Sequence, residues 1–449
     1  MVKKQILKIL LINPPSKIPC HRDYYCSHTT KGDYLWQPFD LQILSAKLKS
    51  ERLFFIDAIA GNFSQKYCLE RIRQIQPDFI FSQIGNATLH ADISFLNKIS
   101  RITDSNILIT GDIARTESDI LLEKNPFLEG IIYNIFHNDI KAYIRDGISS
   151  PVNIITRNSK IIEKCPDNFK TGVPVLKFFK HNRYYLPHAK KSPMYTIATT
   201  FGCPYSCKYC HFEKIPASLR DTSDFYNELI EVKKHGFKQL HFRDQTFGYN
   251  KEHRKEILSI LKNFDFSCIV YSRVDILSEE DIKEFKEAGI DCIEVGIESE
   301  EDSIREDYNK KITNKEYIKF FHWLEKYNMD SLASFILGFE GQNENTEKNM
   351  LEFIKKLNPD VISINLLAKK AGTSLYKDNL RLSDMGPTCG DIDSKKYQKI
   401  QRAIFFKYYL SIQFILNQLK KIRSKKDVIR HIKNALGFFK TFHKPGIRG

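Results

Sequence analysis

Between residues 8 and 135, short apolar runs alternate with segments of helical period. The runs are KILLIN (8–13), LFFIDAI (53–59), FIFSQIG (79–85), NILITG (106–111) and GIIYNI (130–135). PFDLQILSAKLKS (38–50), QKYCLERIRQI (65–75) and ADISFLNKISRI (91–102) separate the first four. A strand that is apolar on both sides has no face to show water, so it needs cover above and below. The alternation therefore predicts βαβ units on a parallel sheet. Five such strands make a doubly wound sheet, with a ligand expected beyond their carboxyl ends. Residues 141–193 read as irregular, basic and punctuated by Pro151, Pro166, Pro174, Pro187 and Pro193. From 194 the alternation restarts with a longer period: MYTIATT (194–200), KQLHFR (238–243), SCIVYS (267–272), DCIEVGI (291–297), SLASFIL (331–337) and DVISINLL (360–367). Ser278-x-x-Asp281 and Thr313-x-x-Glu316 are capping-box patterns, and Gly236 and Gly289 stand where helices should stop. Six consecutive βα units predict a partial barrel with its chemistry at the strand C-termini.

The expected organisation is α/β throughout: a doubly wound domain over 1–140, a linker over 141–193, a partial (β/α)6 barrel over 194–376, and a basic helical segment over 377–449. In that last segment the loop SDMGPTCGDID precedes helix over 395–440. A length of 449 residues suits two or three domains at about 150 residues each. Hydrophobic residues at 42% and charged residues at 27% exclude wholesale disorder and collagen. The start, MVKKQILKILLINPPSK, has the basic opening of a signal peptide. Lys8 breaks its apolar run and Asn13-Pro14-Pro15 ends it, so it reads as a buried first strand. With no charge-free window of about 18 residues, no membrane-spanning helix is expected, and the expected location is cytoplasmic.

Ten cysteines are too sparse for a disulfide scaffold. Seven are scattered (Cys20, Cys26, Cys68, Cys165, Cys268, Cys292, Cys389) and read as small buried hydrophobes. Cys203, Cys207 and Cys210 instead share the stretch TTFGCPYSCKYCHF (199–212), directly after the first barrel strand. Three thiolates on one tight loop can hold three irons of a cubane iron–sulfur cluster and leave the fourth open to a substrate. Rival readings are a zinc site completed by His211 or a distant ligand, c-type haem attachment at Cys207-Lys-Tyr-Cys210-His211, and three inert buried cysteines. Zinc together with the basic charge makes a nucleic-acid-binding module the alternative from another class.

The spacing C-x3-C-x2-C, with Tyr209 before the third Cys, resembles the signature of the radical S-adenosylmethionine (SAM) enzymes. The resemblance continues along 194–376 at each later strand end. Arg243-Asp244-Gln245-Thr246-Phe247 is similar to the family segment that meets the SAM amino group, with Gln245 in place of an acid. Ser272-Arg273-Val274-Asp275 resembles its R-x-D element, whose Arg meets the SAM carboxylate. Gly296-Ile297-Glu298-Ser299 resembles G-[IL]-E-S, whose Glu holds the ribose hydroxyls. Leu337-Gly338-Phe339-Glu340-Gly341 resembles its G-x-P-G-E-T turn without the Pro. Ala371-Gly372-Thr373-Ser374-Leu375-Tyr376 resembles its P-G-T-x-L-Y end. The resemblance implies a [4Fe-4S] cluster on Cys203, Cys207 and Cys210. It implies SAM on the open iron, ordered by Asp244, Arg273, Glu298 and Gly338, with Tyr209 near the adenine. An external one-electron donor of flavodoxin or ferredoxin type would reduce it.

Asn13-Pro14-Pro15, Pro38, Ile56-Asp57-Ala58 and the tail segment Ala403-Ile404-Phe405-Phe406-x-x-Tyr409 resemble a subclass in which a cobalamin-binding domain precedes the barrel. That subclass includes class B methyltransferases and the anaerobic Mg-protoporphyrin monomethyl ester cyclases. It implies hydrogen abstraction from a small-molecule or lipid-like substrate, followed by methyl delivery from methylcobalamin to the carbon radical. The alternative is cyclisation, oxidation or rearrangement without methyl transfer. Departures bear on the cobalamin. D-x-H-x-x-G is absent: His21, His28, His90 and His137 do not fit it. Gly111-Asp112-Ile113-Ala114 and Tyr133-Asn134-Ile135-Phe136 replace Gly-rich turns that would face the corrin. The domain thus either binds cobalamin or is a degenerate support for the barrel.

The net charge is +15, but residues 401–449 hold twelve Lys or Arg against Asp427 alone, leaving +4 for the first 400. Nucleic acid is therefore not an expected partner of the barrel. The amphipathic tail has two readings. One packs its apolar side on the barrel with a solvated basic face. The other attaches it peripherally to the inner membrane face through 401–449.

Overall fold

The computed structural model describes residues 6–24, 26–30, 34–147, 151–163, 167–368, 372–376 and 394–422. Cys165, Cys389, the Cys26 side chain, Ala371, the loop 383–393 and the tail beyond 422 lie outside the described residues.

The first half runs β1 (Lys8–Asn13), a hairpin of β2 (Cys20–Asp23) and β3 (Cys26–Thr29), α1 (Phe39–Lys47), β4 (Arg52–Asp57), α2 (Gln65–Ile75), β5 (Phe79–Gln83), α3 (Leu89–Ser100), β6 (Asn106–Thr110), α4 (Asp112–Thr116), α5 (Ser118–Lys124), β7 (Leu128–Ile132), α6 (Ile140–Asp146) and β8 (Ile154–Ile155). The sheet order is β4-β1-β5-β6-β7-β8. The first five strands are parallel, as the apolar runs predict. Strand alternation gives the sheet two cores. Leu10, Ile12, Ile80 and Ile107 face α2 and α3, while Ile9, Leu11, Phe81 and Leu108 face α1 and α6. The chain order reverses at β1, so the switch-point crevice lies above the ends of β1 and β5.

Two features depart from the sequence reading. The sheet has a sixth strand, since β8 joins β7 antiparallel; the stretch read as irregular from 141 also carries part of α6. The other is the β2–β3 hairpin itself. Neither carries an apolar run: β8 is two residues long, and the hairpin is mostly polar.

The second half runs β9 (Asn168–Phe169), β10 (Met194–Ile197), β11 (Thr200–Phe201), β12 (Ser218–Arg220), α7 (Thr222–Lys234), β13 (Gln239–Phe242), α8 (Lys251–Leu261), β14 (Ser267–Ser272), α9 (Glu279–Glu287), β15 (Ile290–Glu298), α10 (Asp302–Asp307), α11 (Asn314–Lys326), β16 (Asp330–Leu337), α12 (Thr346–Leu357), β17 (Val361–Leu366), α13 (Ser394–Tyr409) and α14 (Ile412–Lys420). Six parallel strands in the order β10-β13-β14-β15-β16-β17 form the partial barrel. Both capping boxes form, at α9 and α11. Gly236 and Gly289 follow α7 and α9 with φ of 78° and 84°, the left-handed stop that favours glycine.

Tyr195, Leu240, Val270, Ile293 and Val295 point outward to the helices in the main core. The alternate positions Met194, Ile269 and Cys292 point inward, where Trp36 and Leu186 fill the barrel base. Of the tail, Ile404, Phe405 and Tyr408 on α13 are buried against the barrel. The expected continuous helix breaks at Leu410-Ser411, where Ser411 caps α14.

Candidate active site at the barrel mouth

The cysteine loop leaves β10 and is tied down at both ends. Phe201 and Phe212 are buried in the core shared with the first half. Phe201 packs on Tyr24 at 5.1 Å and Phe136 at 4.5 Å between ring centres. Gly202 has φ 77°, and a Cβ there would stand 1.9 Å from the Pro216 carbonyl oxygen, so only glycine lets the loop lie this close. The Cys203 N–H donates to Ile215 O at 3.1 Å and the Cys210 N–H to Cys207 O at 2.9 Å. The three thiols therefore sit on one tight, backbone-bonded loop. Burial raises the Cys203 thiol and pushes Cys210 up to about 12, so both stay protonated until a metal takes the proton's place. Among the described residues no three His, Cys, Asp or Glu side chains converge as ligands of a single ion would. A polynuclear cluster, whose ligands stand farther apart, makes no such demand.

The neighbouring strand ends bring the other expected residues to this mouth. Arg273 follows β14. Its guanidinium stacks on the Tyr205 ring at 3.8 Å, donates to Asp275 at 3.0 and 2.8 Å, and lies 3.7 Å from Cys207 Sγ. Glu298 ends β15 with φ 72°, a strained conformation for a side-chain-bearing residue. Its carboxylate accepts from Lys310 Nζ at 2.9 Å. Gly296 makes room for that pair: a Cβ there would stand 2.2 Å from Glu298 Oε1 and 2.9 Å from Lys310 Nζ. Burial works against the Lys310 charge, but Glu298, with Tyr317 and Cys207, together outweigh it and hold the ammonium's pKa above its ordinary value. The Lys310 carbonyl also accepts from Arg273 at 3.1 Å. Lys310 thus links the two expected SAM contacts, and no motif in the sequence marks it. Tyr209 is held among aromatic rings, 5.6 Å from Phe339 and 6.5 Å from Tyr308. The Gly338 N–H donates to Gln342 Oε1 at 2.6 Å.

Asp244 behaves differently from the other expected contacts. It is fully buried and accepts from the Thr199 amide at 3.0 Å, Thr199 Oγ1 at 2.5 Å and Thr200 Oγ1 at 2.7 Å. In this arrangement it braces the start of the cysteine loop. Burial raises its carboxyl pKa, against the pull of those hydrogen bonds. Thr246 Oγ1, two residues on, lies 3.6 Å from Cys203 Sγ. Deeper in the barrel, His188 Nε2 and Glu294 Oε1 are 2.8 Å apart. His241 lies beside Trp36 and Tyr271, and among the described residues neither of its ring nitrogens has a hydrogen-bond partner.

The first half meets this mouth through Arg115, which lies over Tyr24 at 4.7 Å and reaches His211 Nε2 at 3.3 Å. Its switch-point crevice is filled by the β2–β3 hairpin. Arg22 is fully buried in it and donates to Asn13 at 2.8 Å, Pro14 O at 2.9 Å, Thr88 at 2.9 Å and both Asp92 oxygens at 2.8 Å. A Cβ on Gly85 would stand 2.8 Å from Ser27 Cβ, while one on Gly111 would meet Ile84 O at 2.0 Å before Arg22 O at 3.0 Å. Ser27 Oγ donates to Asp112 at 2.6 Å. Gly85 therefore lets the backbone approach the chain's own hairpin, and Gly111 lets it approach the end of β5. The cysteine mouth fits a cluster; the crevice above β1 and β5 is occupied by the chain's own hairpin.

Residues 197–354 match the family model described as the Radical SAM superfamily. That stretch holds the cysteine loop and most of the barrel, so this part of the chain is a radical SAM domain. An uncharacterised methyltransferase of Pyrococcus horikoshii is 23% identical over 98% of this chain and 100% of its own length. The anaerobic magnesium-protoporphyrin IX monomethyl ester cyclase of Synechocystis is 26% identical over 82% of this chain and 77% of its own. Among solved structures, the cobalamin-dependent SAM radical enzyme OxsB, with aqua-cobalamin and SAM bound, superposes with a TM-score of 0.68. It covers 96% of this chain and 72% of its own at 14% identity. The radical SAM methyltransferase TsrM of Kitasatospora setae, with cobalamin and a [4Fe-4S] cluster bound, gives 0.66 over 83% and 74% at 15% identity. The two-part fold of those cobalamin-dependent enzymes is the fold of this chain. Among the described residues no helix is long and apolar enough to cross a membrane.

Proposed function

We propose that this chain cleaves SAM reductively at a [4Fe-4S] cluster, takes a hydrogen atom from a small organic substrate, and passes a methyl group to the resulting carbon. The observation that carries the first part is the gathering of Cys203, Cys207 and Cys210 on one loop, with Arg273 beside Cys207 and Glu298 at an adjacent strand end. When bound, the cluster and SAM supply an electron and a 5′-deoxyadenosyl radical, and cobalamin supplies a methyl group that a carbon radical can capture. The three thiols hold the cluster. Arg273 orients the SAM carboxylate through paired N–H donors. Glu298, held in place by Lys310, accepts from the ribose hydroxyls. Tyr209 and Gly338 flank the adenine side, and Asp244 positions the cysteine loop through Thr199 and Thr200. A flavodoxin- or ferredoxin-type protein is the proposed electron donor.

The relatives named methyltransferase and the likeness to OxsB and TsrM support methyl transfer. The cyclase relative and the filled crevice favour a second reading, in which the radical step proceeds without it. Anaerobically reconstituted protein should convert SAM to methionine and 5′-deoxyadenosine, and replacing any one of the three cysteines by Ala should abolish this. Retained cleavage would refute the ligand assignment. A product heavier by one CH2 supports methyl transfer; an unchanged or oxidised skeleton supports the second reading.

A further inference from the structure

The C-terminal helix α14 is turned inside out. An amphipathic helix on a globular protein ordinarily buries its apolar stripe. Here the polar side faces the protein. Asn417 Nδ2 donates to Asn358 Oδ1 at 2.7 Å, Gln418 to Asp360 at 3.3 Å, and Gln413 to Lys355 O at 3.2 Å. Lys421, just past the helix, pairs with Asp330 at 3.1 Å and also with Asp360. Phe414 is the one large apolar side chain turned in, against Tyr408 and Tyr409. Ile412, Ile415, Leu416 and Leu419 are spaced i, i+3, i+4, i+7 and stay 77%, 45%, 52% and 57% exposed. Leu410 adds to the same patch at 57%. Four aliphatic side chains on one helix face are a contiguous apolar surface of the kind that marks an interaction site.

Charge selects the occupant. Lys420 closes the helix, and residues 423–449 add Arg423, Lys425, Lys426, Arg430, Lys433, Lys440, Lys444 and Arg448 against Asp427 alone. An outward aliphatic stripe followed by a strongly cationic segment matches an anionic lipid surface. The acyl boundary takes the stripe and the headgroups take the lysines and arginines. We infer that α14 lies in the interface of an anionic membrane, parallel to its plane, and attaches the enzyme there peripherally. The anchoring contacts at Asp330 and Asp360 sit at the amino ends of β16 and β17, so the membrane meets the base of the barrel. The inference stands apart from the proposed reaction.

The test is co-sedimentation of the reconstituted full-length protein with phosphatidylcholine vesicles, with and without phosphatidylglycerol. The partner is the triple variant Ile412→Gln, Leu416→Gln, Leu419→Gln. The wild type should bind only the anionic vesicles and release on raising salt. The variant should bind roughly a hundredfold or more weakly, the scale expected from withdrawing three aliphatic side chains, with unchanged unfolding midpoint and elution volume. Failure of the wild type to bind, or equal binding by the variant, overturns the inference. A sharply lowered midpoint in the variant overturns it in favour of cover by residues 423–449. A wild-type dimer that the variant dissociates overturns it in favour of a second copy.

Discussion

Lys310 offers the sharpest test of how this site is assembled. Lys310→Met keeps the length and apolar stem of the side chain and removes its charge. The pair it breaks has side-chain exposures of 7% and 13% and a 2.9 Å contact. At that separation and an effective dielectric near 20, the gross attraction is roughly 6 kcal/mol. Desolvation of both ions offsets much of it, and removing one partner of a buried pair costs about 3–5 kcal/mol. Because Glu298 keeps some contact with water, we expect about 3 kcal/mol, seen as a lower urea midpoint at constant slope. The same change frees the Glu298 carboxylate from its orientation beside Tyr209. SAM affinity, measured by anaerobic equilibrium dialysis, should fall about tenfold, the factor set by 1.4 kcal/mol of lost positioning. Lys310→Arg should restore most of both. A loss below about 1 kcal/mol with unchanged SAM affinity would show that Glu298 is not held by this pair.

Other positions give independent checks. Asp40 is fully buried and its carboxyl is pushed up to about 8, by burial first and by Asp23 second. The folded state therefore takes its proton more readily than the unfolded chain. That contribution is complete below the usual carboxylate range near pH 4 and is lost as pH rises through about 8. The unfolding midpoint should fall from pH 5 to pH 8, less so in Asp40→Asn; an equal fall in the variant would count against this source. Gly296→Ala drives a methyl into the Glu298 carboxylate, so SAM binding should weaken while cluster absorbance stays; unaltered SAM affinity would refute the contact. The double replacement Arg22→Met, Asp92→Leu removes the buried ion pair that pins the hairpin's first strand. Corrin absorbance retained after gel filtration with hydroxocobalamin should rise above wild type, and an unchanged yield would show that the hairpin does not control entry.

The parallel strands were legible because burial on both faces forces a continuous apolar run, and KILLIN, NILITG and SCIVYS could be little else. The capping boxes were legible because their bonds are local. What the sequence hid was long-range or polar. The β2–β3 hairpin has no apolar alternation, and its anchor Arg22 finds Asp92 seventy residues away. Asp244 matched a motif segment, but nothing in that segment announced Thr199 and Thr200 as its partners. Lys310 sits in a turn with no pattern of its own. For α14 the helical period was readable and the side facing the protein was not, because Asp330, Asn358 and Asp360 decide it. The tail divides the two readings of it: α13 packs on the barrel, and α14 keeps its apolar side outward.

The open flank of the barrel has one more consequence. β10 is the edge of its sheet, and a bare edge invites pairing with another chain. Here α1's entry segment covers it with side chains. Gln37 donates to Met194 O at 2.6 Å and accepts from Thr196 Oγ1 at 2.6 Å, while Gln42 reaches Thr196 O at 3.3 Å. Next to Gln37, Trp36 corks the barrel base. A barrel severed from residues 1–147 would be born with an unzipped seam and an empty socket, the starting point for self-association. The two parts of the chain are thus joined by side chains that seal the barrel's first strand. The amino-terminal sheet, emerging first from the ribosome, holds ready the template against which the barrel's first strand closes.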